Sequence, residues 1–255
     1  MSGSTGPLDG SGDPDHWFEP LADHLGAAYL RYSFTRGTAN EVAFLVDVLG
    51  LSPGACVLDV GCGPGRHARA LAEQGIDVLG VDISQRFVDL ARDGAPPNAR
   101  FERLDARHLA FDGEFDAVLS LCQGAFGLVG TDDSALTAID PDGVVFAGMA
   151  RALRPGGQLV LSAFSAYFQV RFLEDTDTFD VARGVNHERA VLRSESGVDA
   201  EADLWTSCFT PRELRLMASA SGLVVDDLWS VTPGAYRRSP PDLDHPEFLL
   251  LAHRP

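Results

Sequence analysis

Apolar positions recur at helical spacing from Trp17 to Leu25 and again from Val42 to Leu49, after which the period changes. From residue 55 onward, short unbroken apolar runs alternate with amphipathic stretches. Ala55–Asp59 is such a run, of the kind buried on both faces of a parallel sheet. A glycine-rich turn follows, then a helix from about Arg66 that stops at Gly75. Ile76–Val81 predicts a second strand ending in Asp82, and Ser84 caps the next helix, which runs to Gly94. Arg100–Leu104 and Phe115–Leu121 predict strands three and four. Asp140-Pro141 reads as a helix start, with the acid as cap and the proline in the first turn. That helix stops at Arg154-Pro155-Gly156-Gly157, and Gln158–Phe164 predicts the fifth strand.

Residues 165–209 break the rhythm, with Arg189–Arg193 and Leu204–Phe209 reading as an extended pair around a Ser-Gly turn. Thr210-Pro211-Arg212-Glu213 is a capping box for a helix that stops at Gly222. Leu223–Ser230 and Glu247–His253 predict the last strands. Alternating strands and helices predict a doubly wound α/β sheet, in which ligands sit beyond the carboxyl ends of the strands. Residues 1–15, rich in Gly, Ser, Asp and Pro, read as a disordered tail rather than a signal peptide. The rest, 16–255, reads as a single domain: a helical segment (16–50), a core (51–164), an insert (165–209) and a closing helix with strands (210–255).

Composition narrows the function classes. Of 255 residues, 45% are hydrophobic, and no stretch approaches the roughly 18 apolar residues of a membrane span. A cytoplasmic protein with no membrane partner is expected. The net charge of −17 repels polyanions, so nucleic acid is not expected as a partner. All twenty basic side chains are Arg, which excludes Schiff-base chemistry and a Lys-bearing P-loop. The four cysteines form no C-x-x-C pair, so neither a disulfide framework nor a zinc site is predicted, and no metal is expected.

The sharpest signal is Val57-Leu58-Asp59-Val60-Gly61-Cys62-Gly63-Pro64-Gly65. Three glycines after a buried strand let the backbone turn tightly and approach a ligand. Asp82, seventeen residues beyond Gly65, closes the next strand, where a carboxylate can accept two hydrogen bonds from a ribose diol. The same residues fit a plain tight turn with a solvated acid, or a dinucleotide site. A dinucleotide fingerprint, however, spaces its glycines G-x-G-x-x-G and holds a pyrophosphate. Here the spacing is G-x-G-x-G, and Asp59 would repel a pyrophosphate while suiting a ligand with an ammonium and a sulfonium. That favours S-adenosylmethionine.

These residues resemble the class I S-adenosylmethionine-dependent methyltransferases over about residues 50–165. Val57–Gly65 matches the family's first motif in full, and Asp82 its ribose-binding acid. Asp105, in Leu104-Asp105-Ala106, matches the acid that holds the adenine amino group. Phe115-Asp116-Ala117-Val118 matches the fourth-strand segment and Leu153–Gly157 the turn before strand five. The resemblance implies a Rossmann-like, seven-stranded, mostly parallel sheet in the order 3-2-1-4-5-7-6 with an antiparallel last strand. It also implies an N-terminal helical lid and an insert after strand five that builds the acceptor pocket.

On that reading the cofactor residues are Asp59, Gly61, Gly63, Gly65, Asp82, Ile83, Asp105, Ala106 and Leu121, with Tyr29 and Arg36 from the lid. Methyl transfer from a sulfonium is an in-line displacement that depends chiefly on positioning, with a base where the acceptor carries a proton. Gln123, after strand four, is a candidate for ordering the acceptor, and Cys122 reads as a small filler rather than a nucleophile. Tyr32 and Tyr29 are candidates for facing the sulfonium, or for stapling the lid to the core; Arg36 could pair with the cofactor carboxylate. His187, in the insert, is the first choice as general base, though it fits a surface histidine as well; His67 reads as solvent-facing. The expected activity is methylation of N or O on a small-molecule acceptor. A non-catalytic cofactor-binding module, a nicotinamide-dependent oxidoreductase and a methyltransferase for a macromolecule remain as alternatives, and nothing predicts the oligomeric state.

Overall fold

A computed structural model describes residues 16–122, 124–128 and 141–255. Five strands form the parallel part of the sheet: β1 (Cys56–Val60), β2 (Asp77–Asp82), β3 (Ala99–Arg103), β4 (Phe115–Ser120) and β5 (Leu153–Ser165), ordered 3-2-1-4-5. Their side chains are buried on both faces because helices cover each one. Helices α2 (Thr38–Leu49), α3 (Arg66–Ala72) and α4 (Gln85–Arg92) close one face through Leu45, Leu71 and Val88. Helices α5 (Pro141–Ala152) and α7 (Pro211–Ala220) close the other through Phe146, Met149 and Leu214. Ser84 caps α4 by accepting from the Phe87 amide, and Thr210 and Glu213 complete the capping box of α7, both as their side chains require. Asp140, the expected cap of α5, lies outside the described residues.

Beyond β5 the sheet turns antiparallel. Strand β10 (Glu247–His253) runs against β5 from Glu247↔Phe164 to His253↔Gln158, and β9 (Val224–Val231) pairs with β10. In chain order of the seven core strands this is the expected 3-2-1-4-5-7-6 arrangement. The insert adds α6 (Ala166–Arg171), β6 (Thr178–Asp180), β7 (Val185–Arg193) and β8 (Asp199–Phe209). The extended pair expected there is present and longer than its apolar core suggested. Pairing of β4 with β5 stops at Ser120↔Leu161; past it, β8 pairs parallel at Phe164↔Cys208 and Ser165↔Phe209. β10 already occupies the other edge of β5 there, so the β7–β8 ribbon stands over the carboxyl end of β4.

The N-terminal segment packs onto that ribbon. Helix α1 (Phe18–Leu25) and the 3-10 turn Gly26–Arg31 place Leu21 and Leu25 against Leu192 and Ala202. Trp17 donates its ring N–H to the Leu128 carbonyl at 2.9 Å and meets Trp205 edge-on at 5.6 Å. At the ribbon tip, Glu195 accepts from the Ala27 amide at 3.0 Å and from Arg86 of α4 at 2.7 Å. Lid, ribbon and sheet thus enclose the space above the strand ends. No described helix is long and apolar enough to cross a membrane.

Two of the sequence motifs turn out to lie at the opposite end of the sheet. Asp116, near the start of β4, accepts from the Cys56 amide at 2.8 Å and pairs with Arg154 at 2.8 Å. Gly156 donates to the Arg254 carbonyl at 2.7 Å. They fix the amino ends of β1, β4 and β5 and touch no ligand space.

Candidate functional site

The turn after β1 meets the chain after β4 backbone to backbone. Gly61 has a φ of +72°, and a Cβ there would stand 2.0 Å from the Gly124 carbonyl carbon. Gly63 differs: its φ is +55°, but a Cβ would meet only Tyr29, at 3.8 Å. What Gly63 contributes is its amide, which donates to Asp82 Oδ2 at 2.8 Å. The Ser84 amide donates to Oδ1 at 2.9 Å, so Asp82, 3% exposed, welds the β1 turn to the β2 turn. Gly65 packs tightly, its would-be Cβ only 2.9 Å from Ala91 and Phe101.

Burial dominates the electrostatics of these acids. It pushes the Asp82 carboxyl up to about 7 against the pull of the two amides, with the Asp59 charge adding to the rise. Asp59 is also raised by burial, opposed by the charges of His67 and Arg66 and by the Ala68 amide. Its Oδ2 is buried and accepts no hydrogen bond. An orphaned carboxylate oxygen beneath a glycine turn suits a cationic ligand rather than a phosphate.

Asp82, Ile83, Leu104, Asp105 and Ala106 line a narrow cleft of about 40 Å³, closed above by Phe18 and Arg107. Asp105 is gripped by Arg107, whose Nε lies 2.8 Å from Oδ2. Burial works to raise this carboxyl, and Arg107 holds it below its ordinary value. To accept an adenine amino group, Asp105 would share its oxygens with that guanidinium. The residues fit an adenosine in kind: an apolar slot of Ile83, Leu104 and Ala106 between two strand-end acids.

A second cavity of about 310 Å³ adjoins the cleft, sharing Phe18 and Leu128 with it. Tyr29 and Tyr32 from the lid, Cys122 after β4, Leu192, Leu204 and Thr206 of the ribbon, and Glu247 of β10 line it. Tyr29 packs on Phe87 with ring centres 4.8 Å apart. Cys122 adopts a left-handed φ of 51° and its amide donates to Ser162 at 2.7 Å. Burial and the nearby Glu247 charge push its thiol well above the usual range, which keeps it protonated and inert. Leu121 is buried beneath, and Gln123 lies outside the described residues.

Two expected positions fall elsewhere. His187 bonds Asp203 at 2.7 Å and stacks on Trp205 at 4.9 Å. Strand alternation puts it on the face opposite Leu192, Leu204 and Thr206, so the structure does not bring it to the cavity. Arg36 is exposed, lines neither cavity, and contributes its carbonyl to a tight contact with Gly234. The guanidinium near the glycine turn is instead Arg66, which approaches Cys122 Sγ at 2.9 Å and pairs with Glu41.

Glu41 is the residue that sequence reasoning missed most plainly. It is fully buried on α2, and it accepts from Arg66, from His67 at 2.8 Å and from the Gly234 amide at 2.7 Å. Burial alone would raise its pKa, but His67 and Arg66 hold it down at about 2. His67 is thereby buried at 5% exposure rather than solvent-facing, because it answers this acid. The clue in the sequence was a lone Glu among the apolar positions of α2.

A doubly wound sheet with a glycine turn, two strand-end acids and a roofed cavity gives an α/β protein whose strand ends suit a nucleoside, with a second cavity beside it. Residues 57–157 match the family model described as a methyltransferase domain. Among curated proteins, the chain is 40% identical over 117 residues to 2-methyl-6-phytyl-1,4-hydroquinone methyltransferase of Synechocystis, covering 44% of this chain and 33% of that one. It is 36% identical over 121 residues to demethylmenaquinone methyltransferase of Beutenbergia cavernae, covering 47% and 45%. The chain thus spans less than half the length of these two relatives. Among solved structures, the CcbJ methyltransferase from Streptomyces caelestis superposes with a TM-score of 0.73 at 20% identity, over 94% of this chain and 98% of that one. Residues 57–157 of this chain thus match a methyltransferase domain, and the fold around them is that of a methyltransferase structure.

A raised Asp82 carboxyl would make cofactor binding pH-dependent if this acid takes the ribose. Unfolded, the group titrates near 3.8 and folded near 7. Between those values the folded chain holds an extra proton, so this group's contribution to stability falls as pH rises through the window. Ribose hydroxyls bond best to the anion. Affinity for S-adenosylhomocysteine should therefore rise about tenfold from pH 6 to pH 8, read by titration calorimetry, as expected for an acid titrating midway between. A flat profile would remove Asp82 from the ribose.

Proposed function

We propose that this protein is a methyltransferase that moves the methyl group of S-adenosylmethionine onto N or O of a small-molecule acceptor. The carrying observation is the Asp82 carboxylate, held by the Gly63 and Ser84 amides at the mouth of the cleft. Two donors that pre-order this acid favour a bidentate contact to a ribose diol. Gly61, Gly63 and Gly65 shape the turn, Asp59 offers an oxygen toward the amino-acid end, and Ile83, Asp105 and Ala106 receive the base. Bound S-adenosylmethionine supplies an electrophilic methyl on a sulfonium. The chain holds the acceptor in line and excludes water; Tyr29 and Tyr32 set polarised rings and hydroxyls along the cavity wall.

The open volume under the ribbon favours catalysis over a purely regulatory module, whose pocket would be filled. Its enclosure by lid and ribbon, together with the charge of −17, favours a small molecule over RNA or protein. Titration of the folded protein with S-adenosylhomocysteine tests the reading. Binding in the micromolar range is expected, and Asp82→Ala should weaken it by about 1–3 kcal/mol through loss of charge-assisted bonds. No heat of binding at high micromolar ligand, from a protein with native circular dichroism, would overturn it.

A further inference from the structure

We infer that the acceptor is an elongated amphiphile, with an uncharged hydrocarbon body lying along the ribbon and a polar end, the one methylated, turned to the sheet. The inference rests on the methyltransferase reading and narrows it to a substrate class.

The roofed cavity is graded from end to end. Its polar wall groups gather at the carboxyl edge of the sheet. Cys122 follows β4, Glu247 opposes Phe164 at the end of β5, and Thr206 stands two residues before Cys208, which pairs with Phe164. The Tyr29 ring lies 3.8 Å from where a Gly63 Cβ would stand. Away from the sheet the wall turns to hydrocarbon. Leu204 shares a face of β8 with Thr206, and Leu192 of β7 lies opposite Ala200, where it packs with Leu21 and Leu25 of the lid. From Thr206 to Ala200 the strand runs about 20 Å, at roughly 3.3 Å per residue. The cavity volume of about 310 Å³ sits at the lower end of the roughly 300–1,000 Å³ usual for small-molecule sites. A long cavity of so little volume is narrow.

Charge and hydrogen bonding limit what fits. The described residues of the wall include no Arg or His, and the chain has no Lys, so a phosphate or carboxylate on the acceptor finds no cation. A sugar would carry several hydroxyls into the stretch of Leu21, Leu25, Leu192 and Leu204, whose side chains offer no hydrogen bond. An aliphatic or aromatic body gains there by leaving water. Methyl transfer needs only one nucleophilic atom, so a single N or O at the sheet end meets both demands. The lone pair of that atom forms the new bond to carbon as the C–S bond breaks, whose electrons stay on sulfur. Any proton the atom carried leaves to water.

Calorimetry with para-alkylphenols, from ethyl to hexyl, tests this without turnover on protein saturated with S-adenosylhomocysteine. Wild-type affinity should rise about three- to fourfold per added methylene, the gain from burying one such group. Glucosamine should give no heat at the same concentrations. Leu192→Asn, which sets an amide in the hydrocarbon stretch, should weaken para-hexylphenol by about tenfold or more. The same variant should leave para-ethylphenol and S-adenosylhomocysteine within about twofold of wild type. Should that variant not fold, the wild-type tail-length series decides alone. Affinity that is flat or falling with tail length, glucosamine binding as tightly as para-hexylphenol, or equal losses for both phenols in the variant overturns the inference. Failure of wild type to bind S-adenosylhomocysteine overturns the methyltransferase reading itself, whatever the phenols do.

Discussion

Glu41→Ala should destabilise the protein by about 3–5 kcal/mol, the cost of stripping one partner from a buried ion pair. Three donors lose their acceptor at once: the Arg66 guanidinium, the His67 ring and the Gly234 amide. These come from the helix after the glycine turn and from the loop before β10, so the change separates three parts of the molecule. Urea denaturation should show the midpoint falling with little change in slope, and a loss below about 1 kcal/mol would show that the network is not what binds these parts. Glu41→Gln, which keeps an acceptor for Gly234, should cost less. The pH dependence has a definite sign. With a folded pKa of about 2 against an ordinary 4.5, the Glu41 contribution is complete above about pH 4.5 and disappears as pH falls toward 2.

Gly61→Ala should cost about 2–4 kcal/mol of stability, combining left-handed backbone strain with overpacking. It should also weaken S-adenosylhomocysteine binding by more than about a hundredfold, because the turn cannot stay where the cofactor needs it. The added Cβ would meet the Gly124 carbonyl at about 2.0–2.1 Å, and a main chain, unlike a side-chain tip, cannot step aside. Gly63→Ala is the control. Its Cβ would face only the Tyr29 ring, so strain alone remains, about 1 kcal/mol. Equal effects of the two substitutions on calorimetric affinity and thermal midpoint would refute this distinction.

The strands and the glycine turn were readable because their signals are local: apolar runs, caps and spacing. Ser84, Thr210 and Glu213 act as caps within their own few residues, and each does what its sequence position implies. Long-range partnerships were not readable. His67 looked solvent-facing because nothing nearby in sequence reveals Glu41, twenty-six positions earlier. His187 looked like a base because the insert was expected to form the pocket. Yet a one-residue shift in a strand changes its face, and alternation sends Leu192 inward and His187 outward. Arg36 sits one helical turn beyond Tyr32 in sequence, but the chain there forms the 3-10 turn Ser33–Thr35 and then extends, so the two side chains do not share a face. Glu247 went unnoticed because a charge heading an apolar strand resembles an ordinary edge, and only the reversed direction of β10 carries it inward.

The two chambers meet at Phe18 and Leu128 but otherwise draw largely on different stretches of the chain. The proposed donor-side residues, Asp59 through Ala106, fall inside the matched segment, whereas Tyr32, Leu192, Leu204 and Glu247 lie outside it. On the proposed function, the residues that would hold the donor are thus largely separate in sequence from those that would meet the recipient. An ancestor could exchange its ribbon and final strand for others, acquiring a new clientele while its methyl supply stayed intact.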